Sequence, residues 1–317
     1  MFRKPEPPSD EPLRDLPLVE APGSVWASVE AALIAGERPR AARRPFFLRW
    51  QPALAAACVA LVAFVYWSAT RRTKPQWEVD RLAGAPSIGS RHIGPTGHLA
   101  EGQWLETDTS SKAVIRVGAI GIVEVDPNTR VRLVAARPAE HRLALARGRI
   151  SARVTAPPRL FLVDTASSTA VDLGCAYTMD VDEAGNGLMH VTLGWVSLEW
   201  QGRESLVPAG ASCRTRAKAG PGTPFFDDAT EPFQQALAKL DFDPDSRSLD
   251  TVLTAARVRD TLTLWHLLSR VGAGDRLRVY TRMVALVPLP NGVSPGKAIA
   301  LDPETLTHWR EELAWKW

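Results

Sequence analysis

The chain is poor in the residues that build metal and nucleophile sites. It has three cysteines and six histidines in 317 residues, and none of either occurs before residue 50. A zinc site in that first segment is excluded, because such sites bind zinc through cysteine and histidine. The sequence also lacks phosphate-loop and H-E-x-x-H motifs and a histidine set in a nucleophile motif. We therefore predict no catalytic residue, no cofactor and no metal site, and expect that the chain is not an enzyme.

A strong excess of one charge is missing as well. The formal net charge is +3 and the isoelectric point is about 8.9. Domains that bind nucleic acid usually concentrate a larger basic excess on one surface, so we expect no direct nucleic-acid partner. Much of the excess stands before an apolar run, where anionic lipid headgroups of a bilayer are the favoured contact. This juxtamembrane basic cluster is Arg38, Arg40, Arg43, Arg44 and Arg49.

A long apolar run occurs at residues 52–67. No charge lies between Arg49 and Arg71, which leaves about 20 residues, the length that a helix needs to cross hydrocarbon. Aromatic residues at both ends suit the membrane interface. The run begins far from residue 1, so it favours an uncleaved anchor over a signal peptide. We predict a transmembrane helix over 50–69 with a cytoplasmic N-terminus; the alternative is a buried core helix.

The segment before this span, residues 1–49, is predicted to be a cytoplasmic tail with one short helix. Residues 1–20 hold five prolines among charges and are predicted to be disordered. A helix is predicted over 24–35, capped by Ser24. Its apolar face consists of Val25, Val29, Ala32 and Leu33. Trp26 lies off this face and would contact either a cytoplasmic partner or the bilayer.

The region 102–214 has the pattern of an all-β domain. Gly, Pro or Asn interrupts it every few residues, and the pieces between are short and rich in valine, leucine and threonine. Several pieces alternate between apolar and polar residues, as strands with one buried face do. Two such sets are Ile150, Ala152 and Val154, and Tyr177, Met179 and Val181. We predict a mainly β domain of short antiparallel, solenoid-like strands, preceded by a linker over 70–101.

The apolar period changes to that of helices after this region. Residues 215–240 begin with a stretch rich in glycine and proline, and we predict a linker there. Apolar residues then recur at helical spacing, as in the set Leu264, Leu267, Leu268 and Val271. Asp302 followed by Pro303 is typical of a helix start. We predict an all-α subdomain over 241–317.

The β region contains four short motifs, which are Gly148 with Arg149, Gly174 with Cys175, the strand 191–196 with Gly194, and the turn at Gly210. Together they resemble the FecR family of single-pass bacterial regulators. The resemblance covers residues 102–213. It implies a periplasmic β-rich sensor domain, tethered by one inner-membrane helix to a cytoplasmic segment that binds a sigma factor. The tail of this chain is shorter than the family's, and the helical subdomain is an addition.

The periplasmic location implied by the resemblance makes Cys175 and Cys213 candidates for a disulfide, since that compartment is oxidising. The two residues are 38 positions apart. A bridge would contribute about 4 kcal/mol by restricting the unfolded chain. The alternative is two buried free thiols that pack as small apolar side chains.

The predicted function is that of a membrane-anchored signalling protein of FecR type. It would relay a periplasmic signal to a cytoplasmic partner, with a sigma factor as the candidate and the tail helix around Trp26 as the contact. An unknown periplasmic protein or glycan would supply the signal. The alternative is a cell-envelope scaffold or cell-wall-binding protein whose membrane helix is only an anchor.

Overall fold

The computed structural model describes residues 23–35, 76–243 and 246–317. The chain divides into two compact units, residues 1–72 and residues 73–317. In the first, α1 (Gly23–Ala35) covers the range predicted for the tail helix. The helix begins one residue earlier than predicted, so Ser24 lies in its first turn instead of at the cap. The predicted disordered stretch, the basic cluster and the span over 50–69 lie outside the described residues. Among the helices that are described, none is both long and apolar enough to cross a membrane.

The second unit contains two β-sheets that share one long strand, β9 (Glu140–Val154). The first sheet has, in spatial order, β4 (Thr96–Ala100), β1 (Gln76–Ala83), β6 (Lys112–Val117), β7 (Gly121–Val125), β9, β12 (Ala176–Val181), β13 (Gly187–Leu193) and β16 (Ala211–Arg216). The short strands β17 (Gly220–Pro221) and β18 (Phe225–Phe226) pair with the last of these. The second sheet has β3 (Arg91–His92), β2 (Ser87–Ile88), β5 (Trp104–Glu106), β8 (Arg130–Arg137), β9, β10 (Phe161–Asp164), β11 (Thr169–Asp172), β14 (Trp195–Trp200) and β15 (Arg203–Pro208).

The chain moves back and forth between the two sheets, and each excursion adds strands beside the preceding ones. Pairing is antiparallel except between β9 and β10, which run parallel. Inward side chains from both sheets form one apolar core, to which Val79 and Met179 contribute from the first sheet and Val131 and Phe161 from the second. The alternation predicted from sequence is confirmed in β8, β9 and β12. The layered order also fits the solenoid-like expectation.

Strand β9 turns from one sheet into the other at Gly148. Leu143 and Leu145 are buried in its first half, whereas Ile150 and Ala152 are buried in its second half, so the buried parity changes between them. An irregular register with β8 occurs at the same place. Such a bulge lets one strand keep its apolar side inward in both sheets.

Both predicted linkers are wrong where the structure describes them. Most of the segment 76–101 forms strands β1 to β4, and Trp77 and Val79 are core residues. In the second, residues 220–226 are all buried, and a helix begins at Glu231. Glycine and proline there serve short edge strands, which tolerate both residues. The β part therefore extends beyond 102–214 at both ends.

Six helices follow the strands and confirm the predicted helical subdomain, which begins ten residues earlier than expected. They are α2 (Glu231–Phe242), α3 (Ser246–Ala255), α4 (Thr261–Arg270), α5 (Ala273–Leu286), α6 (Pro295–Ile299) and α7 (Pro303–Ala314). Asp302 caps α7 as predicted, because its carboxylate accepts a hydrogen bond from the Thr305 amide at 3.0 Å. The helices enclose a second apolar core, which includes Leu264, Leu267 and Trp309.

Candidate binding site between the sheets and the helices

Two adjacent phenylalanines join the core of the sheets to the core of the helices. Phe225 belongs to the helical core and Phe226 to the sheet core, because successive residues of strand β18 point to opposite sides. Helix α4 lies along this boundary and contributes Leu262 to the sheet core and Leu264 to the helical core. We call the layer between the two cores the seam.

The seam contains a buried ion pair. The Arg270 side chain is 10% exposed and that of Asp241 is 7% exposed, with 4.0 Å between Nη1 and Oδ1. Arg270 donates to Thr223 Oγ1 at 3.0 Å, to the Glu204 carbonyl at 3.0 Å and to Ser205 Oγ at 2.7 Å. It therefore bridges helix α4, strand β15 and the loop after β17.

Asp241 is held by Thr223, whose amide and hydroxyl donate to the two carboxylate oxygens at 2.7 Å each. Burial raises the pKa of the Asp241 carboxyl, and the charge of Arg270 offsets part of that effect. Burial lowers the pKa of the Arg270 guanidinium, because it disfavours the charged form of this group as well. Removing the two charges from water costs free energy, and their hydrogen bonds form in only one geometry. We infer that the pair specifies how the helices pack against the sheets.

Aromatic side chains close one end of the seam. Trp317 packs between Trp195 of strand β14 and Trp265 of helix α4, with ring centroids 6.3 Å from each. Its indole nitrogen donates to Thr261 Oγ1 at 3.1 Å. His266 is buried beside Trp265 at 5.0 Å in an edge-to-face contact, with Nε2 3.3 Å from the Leu206 carbonyl. Burial lowers the pKa of His266 well below its ordinary value, so the ring is neutral.

Three clefts surround the tip of the β14–β15 hairpin, and Arg203 lines all of them. The first, of about 430 Å³, faces helices α2 to α5; the second, of about 600 Å³, faces β10 and β11; the third, of about 500 Å³, faces helices α4 and α7. In the first two, the other arginines are paired with carboxylates, as Arg278 is with Asp275 and Arg159 with Glu199. The first and third clefts are the concave surfaces that the seam offers to a ligand.

The glycines singled out by sequence occupy backbone positions that favour glycine. Gly148, Gly174, Gly194 and Gly210 all have positive φ. A Cβ on Gly148 would lie 2.4 Å from the Cα of Thr129, and one on Gly194 would lie 2.2 Å from the Gly174 carbonyl oxygen. Two of the four motifs therefore meet in space. Arg149 forms an ion pair with Asp180 at 2.6 Å, which ties β9 to β12.

Residues 103–196 match the FecR protein family. This segment is FecR-like. It runs from just before strand β5 into strand β14 and includes Gly148, Gly174 and Gly194, whereas Gly210 lies beyond it. The family match agrees with the resemblance seen in the sequence and supports a regulatory signalling role.

Solved structures show a weaker likeness. Two crystal structures of a candidate anti-sigma factor from Parabacteroides distasonis, at 1.65 and 2.50 Å resolution, are each 13% identical to this chain with a TM-score of 0.35. Each alignment covers 43% of this chain and 64% of the other, so the chain spans less than two thirds of the length of that protein. None of the curated proteins matches this chain.

The candidate disulfide of the FecR-like region is not formed. Cys175 and Cys213 are both buried free thiols. Strand pairing aligns Cys213 with Met189 and Met189 with Met179, so the cysteines are two strands apart sideways and four residues apart along the strands. This places their Cα atoms well over 10 Å apart on ordinary strand spacing, whereas a bridge requires about 4–7 Å. Burial raises the pKa of both thiols, that of Cys213 to about 12.

A serine, a histidine and an aspartate that sequence reasoning did not connect meet near the seam. His190 Nδ1 lies 2.9 Å from Asp227 Oδ2, and Ser212 Oγ donates to Asp227 Oδ1 at 2.5 Å. Ser212 Oγ is 3.4 Å from the same Nδ1. A catalytic triad uses the two imidazole nitrogens for different partners, whereas here both contacts fall on one nitrogen. Across the described segments, no cluster of histidine, cysteine and carboxylate side chains could hold a metal ion.

The predicted partner contact on the tail is only partly described. Val25 on α1 is 47% exposed. The side chains of Trp26, Val29 and Leu33 lie outside the described residues, as does the juxtamembrane basic cluster.

The sequence analysis did not predict the seam, because the helical spacing of apolar residues revealed only one buried face of α4. A signal was present, since α4 carries a single charged residue, Arg270, in ten positions and is thus apolar on more than one side.

Proposed function

We propose that the chain is a membrane-anchored regulatory protein of FecR type, which relays a periplasmic signal to a cytoplasmic partner. The match of residues 103–196 to the FecR family carries this proposal. The apolar run at 52–67 supplies the anchor, in a single-pass protein of the bacterial inner membrane. The folded unit 73–317 is then the periplasmic part, and the tail helix is the cytoplasmic part.

The proposed cytoplasmic partner is a sigma factor, bound by the apolar face that includes Val25 and by Trp26 beside it. A helix of this length can dock into a groove through residues spaced three and four apart. Val25 is exposed and available for such contact. The chain would then act in transcription regulation as an anti-sigma factor.

Capture of sigma factors by the full-length chain tests this role. The wild-type chain is compared with Trp26→Ala and with the control Trp315→Ala, which alters a tryptophan that is 92% exposed on the other side of the predicted span. We expect an extracytoplasmic-function sigma factor of the source organism to bind wild type and control, and to bind Trp26→Ala at least tenfold more weakly, as for a hot-spot residue. Failure of the wild type to capture any sigma factor would favour the envelope-scaffold alternative.

Topology is tested separately with reporter fusions. Alkaline phosphatase, which is active only in the periplasm, is joined to either end of the full-length chain, before residue 1 or after residue 317. We expect activity only for the second fusion. Activity of the first fusion would reverse the proposed orientation, and activity of neither would remove the periplasmic location from the proposal.

A further inference from the structure

The third cleft at the tip of the β14–β15 hairpin differs from the other two, because two of the arginines that line it form no ion pair with any residue that the structure describes. Arg203 lines it from the hairpin tip and Arg310 from helix α7. Across the described part of the chain, neither guanidinium forms a salt bridge or a side-chain hydrogen bond; the charge of Arg203 acts on buried Asp241 and offsets part of the rise in the pKa of that carboxyl. A third guanidinium, that of the buried Arg270, also borders the cleft. Glu204 is the carboxylate in the lining, and it already accepts a hydrogen bond from Ser197 Oγ at 2.7 Å.

This arrangement leaves an excess of positive charge in a concave site. His266 adds no charge, because the buried ring is neutral. Walls of low polarizability focus the field of unpaired charges into a cleft and raise the local concentration of anions. Guanidinium groups bind carboxylate and phosphate oxygens in a forked geometry. The charges therefore favour a ligand with an oxyanion group.

An aromatic wall accompanies the charges. Trp265 lines the cleft, and the guanidinium of Arg310 lies over its ring, 5.9 Å from the centroid. Trp317 supports the same ring from its edge. Gln201 and Ser269 provide neutral polar groups nearby. A cleft of about 500 Å³ with one aromatic wall and a few polar groups has the size and composition of sites for small molecules.

We propose that this cleft binds an anionic, ring-bearing small molecule of about monosaccharide size. Its carboxylate or phosphate lies between Arg203 and Arg310, and its ring lies against Trp265. Such a site goes beyond the relay role, since a ligand bound here contacts the hairpin of the sheets and two helices at once. Binding would therefore stabilise the seam.

Calorimetric titration of the purified full-length chain tests the site with three probes. D-glucuronate carries a carboxylate, D-glucose 6-phosphate carries a phosphate, and D-glucose is neutral. We expect at least one anionic sugar to bind and D-glucose to bind at least tenfold more weakly, because the charge-assisted hydrogen bonds are missing. The tighter of the two anionic sugars identifies the oxyanion group. No binding of either at about 10 mM, or equal binding of D-glucose, would overturn the proposal.

Variants locate the binding in this cleft. Arg203→Gln with Arg310→Gln removes both unpaired guanidiniums, and we expect affinity for the anionic sugar to fall at least tenfold. The control is Arg137→Gln, which removes an exposed arginine of β8 that does not line the cleft. Melting curves without ligand establish that each variant is folded. Equal loss in the control, or unchanged affinity in the double variant, would place the binding elsewhere. Sigma-factor capture by the double variant is expected to be unchanged, so the two proposals fail independently.

Discussion

The core between the sheets and the seam beneath the helices are both buried, but they are filled differently. The sheet core consists almost wholly of aliphatic and aromatic side chains from alternating strand positions. The seam holds a charged pair, the hydroxyls of Thr223 and Ser205, and a neutral histidine. An apolar core tolerates rearrangement as long as volume is kept, whereas hydrogen-bonded charges tolerate little displacement. The sheets thus supply stability, and the seam fixes the position of the helices.

The largest effect is expected from Gly148, where the sheet core depends on one backbone position. Gly148→Ala would combine the strain of positive φ with a Cβ 2.4 Å from the Thr129 Cα, and we expect a loss of about 4 kcal/mol. Chemical denaturation measures this loss. Gly89→Ala is the control, because Gly89 also has positive φ but has nothing within 4 Å of an added Cβ. Similar losses in both variants would mean that strain, and not the close approach, matters.

Breaking the charged pair of the seam is expected to have the next largest effect. Arg270→Met keeps the length of the side chain but leaves Asp241 buried without its counter-charge, and we expect a loss of about 3 kcal/mol in unfolding free energy. Arg270→Met combined with Asp241→Asn removes both charges and should recover part of that loss. If the double variant is no more stable than the single one, the charges are not coupled.

The aromatic end of the seam is expected to contribute less. Trp317→Ala removes a half-buried side chain that contacts Trp195 and Trp265, and we expect a loss of about 2 kcal/mol. Trp315→Ala is the control, because that side chain is 92% exposed. Its effect should stay within about 0.5 kcal/mol. A loss in Trp315→Ala as large as that in Trp317→Ala would contradict the contact.

A pH dependence distinguishes the seam from the apolar core. The folded state lowers the pKa of His266 below its ordinary value of 6.5, so below this pH the unfolded chain binds a proton that the folded chain does not. Stability should therefore fall as pH drops from about 6.5 to 5.5, by at most about 1.4 kcal/mol per pH unit from this residue.

His266→Gln should reduce the slope of unfolding free energy against pH. Asp241 acts in the opposite direction, because burial raises its pKa and protonation then favours the folded state. If the unfolding free energy of His266→Gln depends on pH as steeply as that of the wild type, other groups cause the pH dependence.

Much of the fold could be predicted because strand and helix periods are local properties. The alternation around Ile150 and Met179 and the stripe at Leu264 and Leu267 are confirmed. The linker over 215–240 was wrong because glycine and proline mark turns and edge strands as well as flexible segments. The disulfide was wrong because sequence separation says nothing about strand register.

The sequence by itself determined which side chains point inward, which glycines turn the chain, and the likeness to FecR proteins. Only the tertiary structure decided that Phe225 and Phe226 enter different cores, that Arg270 meets Asp241, and that Arg203 and Arg310 share a cleft. The physical reason is distance along the chain. Periodicity is set by neighbouring residues, whereas a site that joins a hairpin to two helices depends on packing between segments far apart in sequence.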